Sequence, residues 1–187
     1  MPDETPTEFL ADLNSGSPLE LILRGHLWIE ARLIQYLSAV VPFPDRVDFG
    51  RFTYPQKLSL AAAHGVLEKD DVPAYLKVNA LRNKIAHRLD AALSQSDEVE
   101  LVNCLSPRLR DAALLDQPEV AQRPWPDVTR FVLAAMILVL DAGHAKLLRL
   151  KEEGRRVTEP LENAVVVSQD PQVPDGASPV GAAHKDS

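Results

Sequence analysis

Apolar side chains recur along most of this chain at the three- and four-residue spacing of a helix, and no segment gives a convincing strand pattern. Leucine and alanine dominate the composition, which favours helix. Helices are therefore predicted over residues 5–13, 18–41, 54–68, 71–93 and 126–152, with one or two short helices over 97–116 that break at Pro107. This order predicts an all-α fold, a bundle of four or five main helices.

Three segments differ in composition. Residues 1–14 form a short N-terminal segment, and residues 15–152 contain the helical periodicity of a single domain. From about residue 153 to 187, proline, glycine, serine and aspartate replace the periodic apolar residues, which predicts a disordered tail.

The net charge of −7 is concentrated at the two ends of the chain. Residues 1–14 contribute −4 and residues 153–187 contribute −3, so residues 15–152 are neutral, with 17 charges of each sign. A neutral domain leaves room for a local basic patch, and binding to nucleic acid is not excluded.

Three further features limit the cellular context. The single cysteine, Cys104, excludes an intramolecular disulfide and a cysteine-based zinc site, and fits a reducing cytoplasm. The acidic N-terminus lacks the apolar stretch of a secretory signal. The longest apolar run, ten residues from Phe131 to Leu140, is shorter than the roughly 20 residues of a membrane span, so we expect a buried core helix and no membrane partner.

The helix predicted over 71–93 contains the strongest candidate for chemistry. On a helical wheel of about 100° per residue, a core stripe forms on one side, and Asn79, Asn83 and His87 form a second face. Arg82 lies between the two faces, about 140° from His87. Asn83 is one turn from His87 and could orient its imidazole. The core stripe consists of Val78, Leu81, Ile85, Leu89 and Ala92.

Arg82 and His87 are residue types that can cleave RNA without a metal. A guanidinium binds phosphate through a planar fork of donors, and an imidazole exchanges protons near neutral pH. No acid occurs from residue 72 to 89, so Lys77, Lys84 and Arg88 could bind flanking phosphates. A structural interpretation stays open, because a histidine near a helix C-terminus is often a cap and an adjacent arginine is often a solvated charge.

The string Arg82-Asn83-Lys84-Ile85-Ala86-His87 resembles the Arg-polar-x-x-x-His motif of the HEPN superfamily. The resemblance covers roughly residues 18–92, and Arg82, Asn83 and His87 match the motif without gaps. It implies an all-helical domain that pairs with a second copy. It also implies a metal-independent RNase of toxin or defence type, with RNA and a cognate antitoxin as partners.

A second segment, Leu23-Arg24-Gly25-His26-Leu27-Trp28-Ile29-Glu30, is similar to the first long helix of a HEPN branch typified by the mannitol operon repressor. That branch implies the alternative function of a non-catalytic dimeric regulator or adaptor. Arg24, His26 and Glu30 are secondary site candidates, although the residues alone favour a surface polar face. His26, His64 and His144 lack metal-ligand spacing, so neither a metal nor another cofactor is expected.

Overall fold

The structure is a computed structural model that describes the backbone of residues 6–87 and 93–167 and the side chains of residues 8–87 and 93–155. Within these ranges the chain is all-α and contains no strand, as the periodicity predicts. Two short 3-10 turns, Pro44–Arg46 and Phe49–Arg51, lie between the second and third helices. The helices are α1 (Pro6–Leu13), α2 (Pro18–Val40), α3 (Tyr54–Ala63), α4 (Val72–Ala86), α5 (Gln95–Asn103), α6 (Pro107–Ala112), α7 (Pro118–Ala121) and α8 (Asp127–Val167).

Local sequence signals start most of these helices. Ser17 caps α2, and its backbone N–H donates to the Glu20 carboxylate at 2.7 Å, which completes a capping box. Thr53 and Ser94 form the same device at α3 and α5. Pro107 lies in the first turn of α6, where its missing N–H leaves no hydrogen bond unmade.

The chain divides into two units, Met1–Arg149 and Leu150–Ser187. In the first unit α2 is central and contacts α1, α3 and α4. The first part of α8 packs closely on α2, because a Cβ built at Gly25 would lie 2.6 Å from a Leu133 methyl. Gly25 is therefore explained by helix packing. Arg32 on α2 pairs with Asp141 on α8 at 2.8 Å, further along both helices.

Three predicted helix ends, those of α3, α4 and α8, differ from the structure. α3 ends at Ala63 rather than near residue 68, because His64 caps it and Gly65 turns the chain with φ +79°. α8 continues past Gly154 to Val167, beyond the predicted end at 152. The predicted tail over 153–187 therefore begins inside α8, and its part from 168 onward lies outside the described residues.

Among the described residues, one segment, Asp127–Arg155 of α8, is long and apolar enough to span a membrane by length and composition. Its most apolar window is 39% buried inside the protein. The predicted apolar run contributes to the core through five fully buried residues, Val132, Leu133, Met136, Ile137 and Leu140.

Candidate functional site

The buried face of α4 fixes which side chains reach solvent. Tyr75 is fully buried, and its hydroxyl donates a 2.8 Å hydrogen bond to the backbone carbonyl of Met136 in α8. Val78 and Leu81 are buried on the same side, and Ile85 packs against the core. The predicted stripe is thus the packed face as far as Ile85, while Leu89 and Ala92 lie outside the described residues.

Arg82 and His87 are both exposed at the C-terminal end of α4. The helix ends at Ala86 rather than near residue 93, and His87 is its C-cap residue, donating its backbone N–H to the Asn83 carbonyl at 3.1 Å. Arg82 Nη1 donates to Asn83 Oδ1 at 3.3 Å. The half-buried Asn83 amide therefore contacts Arg82, and the described contacts include no side-chain hydrogen bond from Asn83 to His87.

Neither Arg82 nor the His87 side chain is paired with a carboxylate in the part of the chain that the structure describes. Both side chains are exposed to solvent. Their wheel positions, about 140° apart, still separate the two side chains around a single helix.

The lysines that were predicted to bind phosphate contact carboxylates of α5 instead. Lys84 Nζ lies 2.8 and 3.0 Å from the two carboxylate oxygens of Asp97, and Lys77 pairs with Glu100. Burial tends to raise the pKa of Asp97, but hydrogen bonds from Lys84 and Ser94 outweigh it and hold that pKa below its usual value. Arg88, the third predicted phosphate ligand, lies outside the described residues.

A buried polar group, here called the His26 cluster, joins α2, α3 and α4. It consists of His26, Glu30, Tyr54, Lys57 and Asn79. His26 Nε2 and Asn79 Oδ1 are 3.1 Å apart, and the His26 ring stacks on Tyr54 with centroids 4.5 Å apart. Lys57 Nζ donates to Glu30 at 2.5 Å, and Glu30 also lies 4.0 Å from His26 Nδ1. Asn79 is on α4, one turn before Asn83 and Arg82.

Burial is the largest influence on the pKa values of His26 and Tyr54 in this cluster. It lowers the pKa of His26, while the contacts with Asn79 and Glu30 oppose that shift and the positive charge of Arg82 adds to it. Burial also raises the pKa of Tyr54, whose hydroxyl has no hydrogen-bond partner among the described residues. His26 is therefore held in its neutral form at pH 7 and serves as a packed, hydrogen-bonded histidine.

The secondary candidates do not lie on a surface face, contrary to the interpretation from sequence. His26 is only 4% exposed, and Glu30 is half-buried beside Lys57. Arg24 reaches back to α1, where it donates to the Asp12 carbonyl at 3.3 Å and to the Ser15 hydroxyl. These contacts give Arg24 a role in holding α1 against α2.

The sequence singles out His26 and Glu30 as candidates but does not indicate Lys57, Tyr54 and Asn79 as their partners. The i, i+4 spacing was the one available signal, since the other three residues reach the cluster only through packing of α3 and α4. No group of three or more His, Cys, Asp or Glu side chains that could hold a metal ion occurs among the described residues.

No protein-family model, curated protein or solved structure matches this chain. The resemblance of residues 82–87 to the HEPN motif therefore stays a prediction. Function has to be inferred from the side chains at the end of α4.

Proposed function

We propose that this protein is a metal-independent endoribonuclease of the HEPN type, acting as a toxin or defence protein. One observation carries the proposal: Arg82 and His87 are exposed at one end of a helix, and neither is paired with a carboxylate among the described residues. Tyr75 and Val78 anchor that helix in the core, so the two side chains project from a packed element.

The proposed reaction uses the ribose 2′-hydroxyl as nucleophile. Neutral His87 accepts its proton while the 2′-oxygen forms a bond to the adjacent phosphorus. The bond from phosphorus to the 5′-oxygen breaks, and that oxygen takes a proton from a protonated histidine. Arg82 binds the phosphate and stabilises the negative charge that develops on its oxygens. The products are a 2′,3′-cyclic phosphate and a 5′-hydroxyl.

We propose that the active form is a homodimer. A single copy has one histidine, His87, at the end of α4, and its Arg82 and His87 lie about 140° apart around that helix. Two copies related by a twofold axis would supply two arginines and two histidines to one cleft. One imidazole could then act as base while the other acts as acid, and each phosphate could contact Arg82 of one copy and His87 of the other.

The first test is incubation of the purified protein with a mixed single-stranded RNA pool in EDTA. The wild type should leave 2′,3′-cyclic phosphate ends, and His87→Ala should reduce the rate by about 10²–10⁴-fold. His64→Ala is the matched control, because His64 is likewise an exposed histidine that caps a helix C-terminus. Arg82→Ala should likewise strongly reduce the rate of cleavage, with Arg51→Ala as the control, because the Arg51 side chain is 87% exposed.

Two results would contradict the nuclease proposal. One is cleavage that survives both His87→Ala and Arg82→Ala, since the reacting groups would then lie elsewhere. The other is wild-type protein that forms a dimer by light scattering yet leaves every RNA of the pool intact.

The second candidate function is a non-catalytic helical dimer, a regulator or adaptor similar to the mannitol operon repressor. The ion pairs of two lysines favour this non-catalytic function. Lys77 pairs with Glu100 and Lys84 pairs with Asp97, so these lysines add little net positive charge for binding RNA. For this function, Arg82→Ala and His87→Ala should leave any cellular phenotype of the chain intact. The two candidates are thus separated by the same pair of variants.

A further inference from the structure

A cleft of about 430 Å³ opens between α1 and the start of α8. Its volume lies within the range of about 300–1,000 Å³ that is usual for small-molecule sites. None of the candidate nuclease residues lines it. Its apolar lining comes from both helices and consists of Leu10, Leu13, Phe131 and Ala134.

The cleft also contains two arginines with different partners. Arg130 has two partners: Nε donates to the Leu13 carbonyl at 3.0 Å, and Nη1 pairs with Asp127. Arg123 lies over the ring of Phe131, with its guanidinium carbon 5.3 Å from the ring centroid. Arg123 Nε donates to the Glu119 carbonyl at 3.3 Å, and no carboxylate of the described residues pairs with this arginine.

Among the described residues, these contacts leave one positive charge without a carboxylate partner beside an apolar surface. The Asp127–Arg130 pair is neutral as a unit, so the cleft has a net charge of +1 from Arg123. Arg123 lies over the Phe131 ring, and the planar fork of N–H donors of a guanidinium matches a carboxylate. The Asp127 carboxylate would repel an additional negative charge.

We propose that this cleft binds a small monoanionic carboxylate with an apolar body. The ligand carboxylate pairs with Arg123, and its apolar body covers Leu10, Leu13 and Ala134. The charge balance selects a monoanion over a phosphate dianion, and the guanidinium selects an acid over a neutral alcohol. This inference is independent of the proposed nuclease activity, since it needs neither RNA nor a dimer.

The test uses octanoate as the probe, titrated into the full chain by isothermal titration calorimetry. Octanoate should bind at a single site, with 1-octanol and octyl phosphate at least about tenfold weaker. Arg123→Gln should weaken octanoate by about tenfold or more, because it removes the charge and the paired donors. Arg46→Gln is the matched control, since Arg46 lies over Phe43 at 4.5 Å in a similar stack outside the cleft.

A second variant acts through the apolar lining. Leu10 is 41% exposed, so Leu10→Asp should fold, and its carboxylate should repel octanoate. Thermal melts of each variant confirm folding before the titration. The proposal is overturned by absence of octanoate binding to the wild type, by equal affinity for 1-octanol or octyl phosphate, or by an Arg123→Gln variant that binds octanoate like the wild type.

Discussion

The ammonium of Lys57 is buried in the His26 cluster, with the whole residue 1% exposed and its charge balanced by Glu30. Glu30→Ala would leave that ammonium in a low-dielectric environment without its partner. We expect a loss of about 2–3 kcal/mol in the free energy of unfolding at pH 7, less than for a fully buried pair because the Glu30 side chain is 28% exposed. Urea unfolding followed by circular dichroism measures it.

The control for this prediction is the double variant Glu30→Met, Lys57→Met. Removing both charges and keeping the volume should restore most of the lost stability, since buried ion pairs are often matched by apolar residues. A double variant less stable than Glu30→Ala would show that the pair acts through packing rather than charge.

His26 makes stability depend on pH. Burial lowers its pKa from the ordinary 6.5, so the unfolded chain binds a proton at a higher pH than the folded chain does. The stabilising contribution is therefore complete above pH 6.5 and is lost as pH falls through the lower folded pKa. Below pH 6.5 the wild type should lose up to about 1.4 kcal/mol per pH unit through this residue.

His26→Gln removes the titrating ring and so should flatten the pH dependence of unfolding below pH 6.5. Chemical unfolding at a series of pH values compares the slopes of the wild type and this variant. Equal slopes for wild type and His26→Gln would contradict a buried neutral histidine.

At the scale of helices, Gly143 is the point where α8 passes Val66, the residue that follows the α3 turn. A Cβ built at Gly143 would lie 2.2 Å from a Val66 methyl, which is an overlap. Gly143→Ala would ordinarily stabilise a helix by up to about 1 kcal/mol, but here we expect it to destabilise the protein by about 1–3 kcal/mol. Thermal melting measures the effect.

Two further variants test the cause of that effect. Val66→Ala in the Gly143→Ala background should recover part of the stability, because it removes the overlapping methyl groups. Gly154→Ala, in the same helix, adds a Cβ that meets no atom within 4 Å and should be neutral or slightly stabilising.

Helix starts were predictable because their signals are local. Ser17, Pro18 and Glu20 specify the first turn of α2 without help from the rest of the chain. Helix ends were harder to predict than helix starts. The change in composition predicts a tail from about residue 153, yet α8 continues to Val167, and the apolar spacing predicts α3 to about residue 68, yet Gly65 turns the chain before that point.

Side-chain partners could be predicted only within one helix. Sequence spacing placed Arg82 and His87 on α4 and indicated where the core stripe lies. It could not show that Asp97 and Glu100 of α5 would reach the α4 lysines, because those contacts arise from packing of two helices. The burial of His26 likewise arises from packing between helices, so the pattern of residues in α2 alone does not predict it.

At the scale of the whole molecule, charge is distributed unevenly along the chain. Residues 156–187 contain five acids and two bases, so a chain ending at Arg155 has a net charge of −4 instead of −7. Less negative charge should strengthen binding of single-stranded RNA by about three- to tenfold at low ionic strength, and by less as salt screens the interaction. Fluorescence anisotropy with a labelled RNA measures it.

The truncation also has an internal control. The hydrophobic core extends from Phe9 to Leu147, so the shortened chain should keep a melting temperature close to that of the full chain. A folded truncated protein with unchanged RNA affinity would mean that the acids of residues 156–187 do not influence the nucleic-acid surface.

The docking of α1 on α2 makes one tryptophan an optical reporter. Trp28 Nε1 donates to Asp12 Oδ2 at 3.0 Å, and the Trp28 ring packs edge-on against Phe9 of α1. Detachment of α1 would expose that indole to water and shift its emission to the red. Because α1 also supplies one wall of the cleft, displacement of that wall should appear as a red shift of the Trp28 contribution to the emission, without a label.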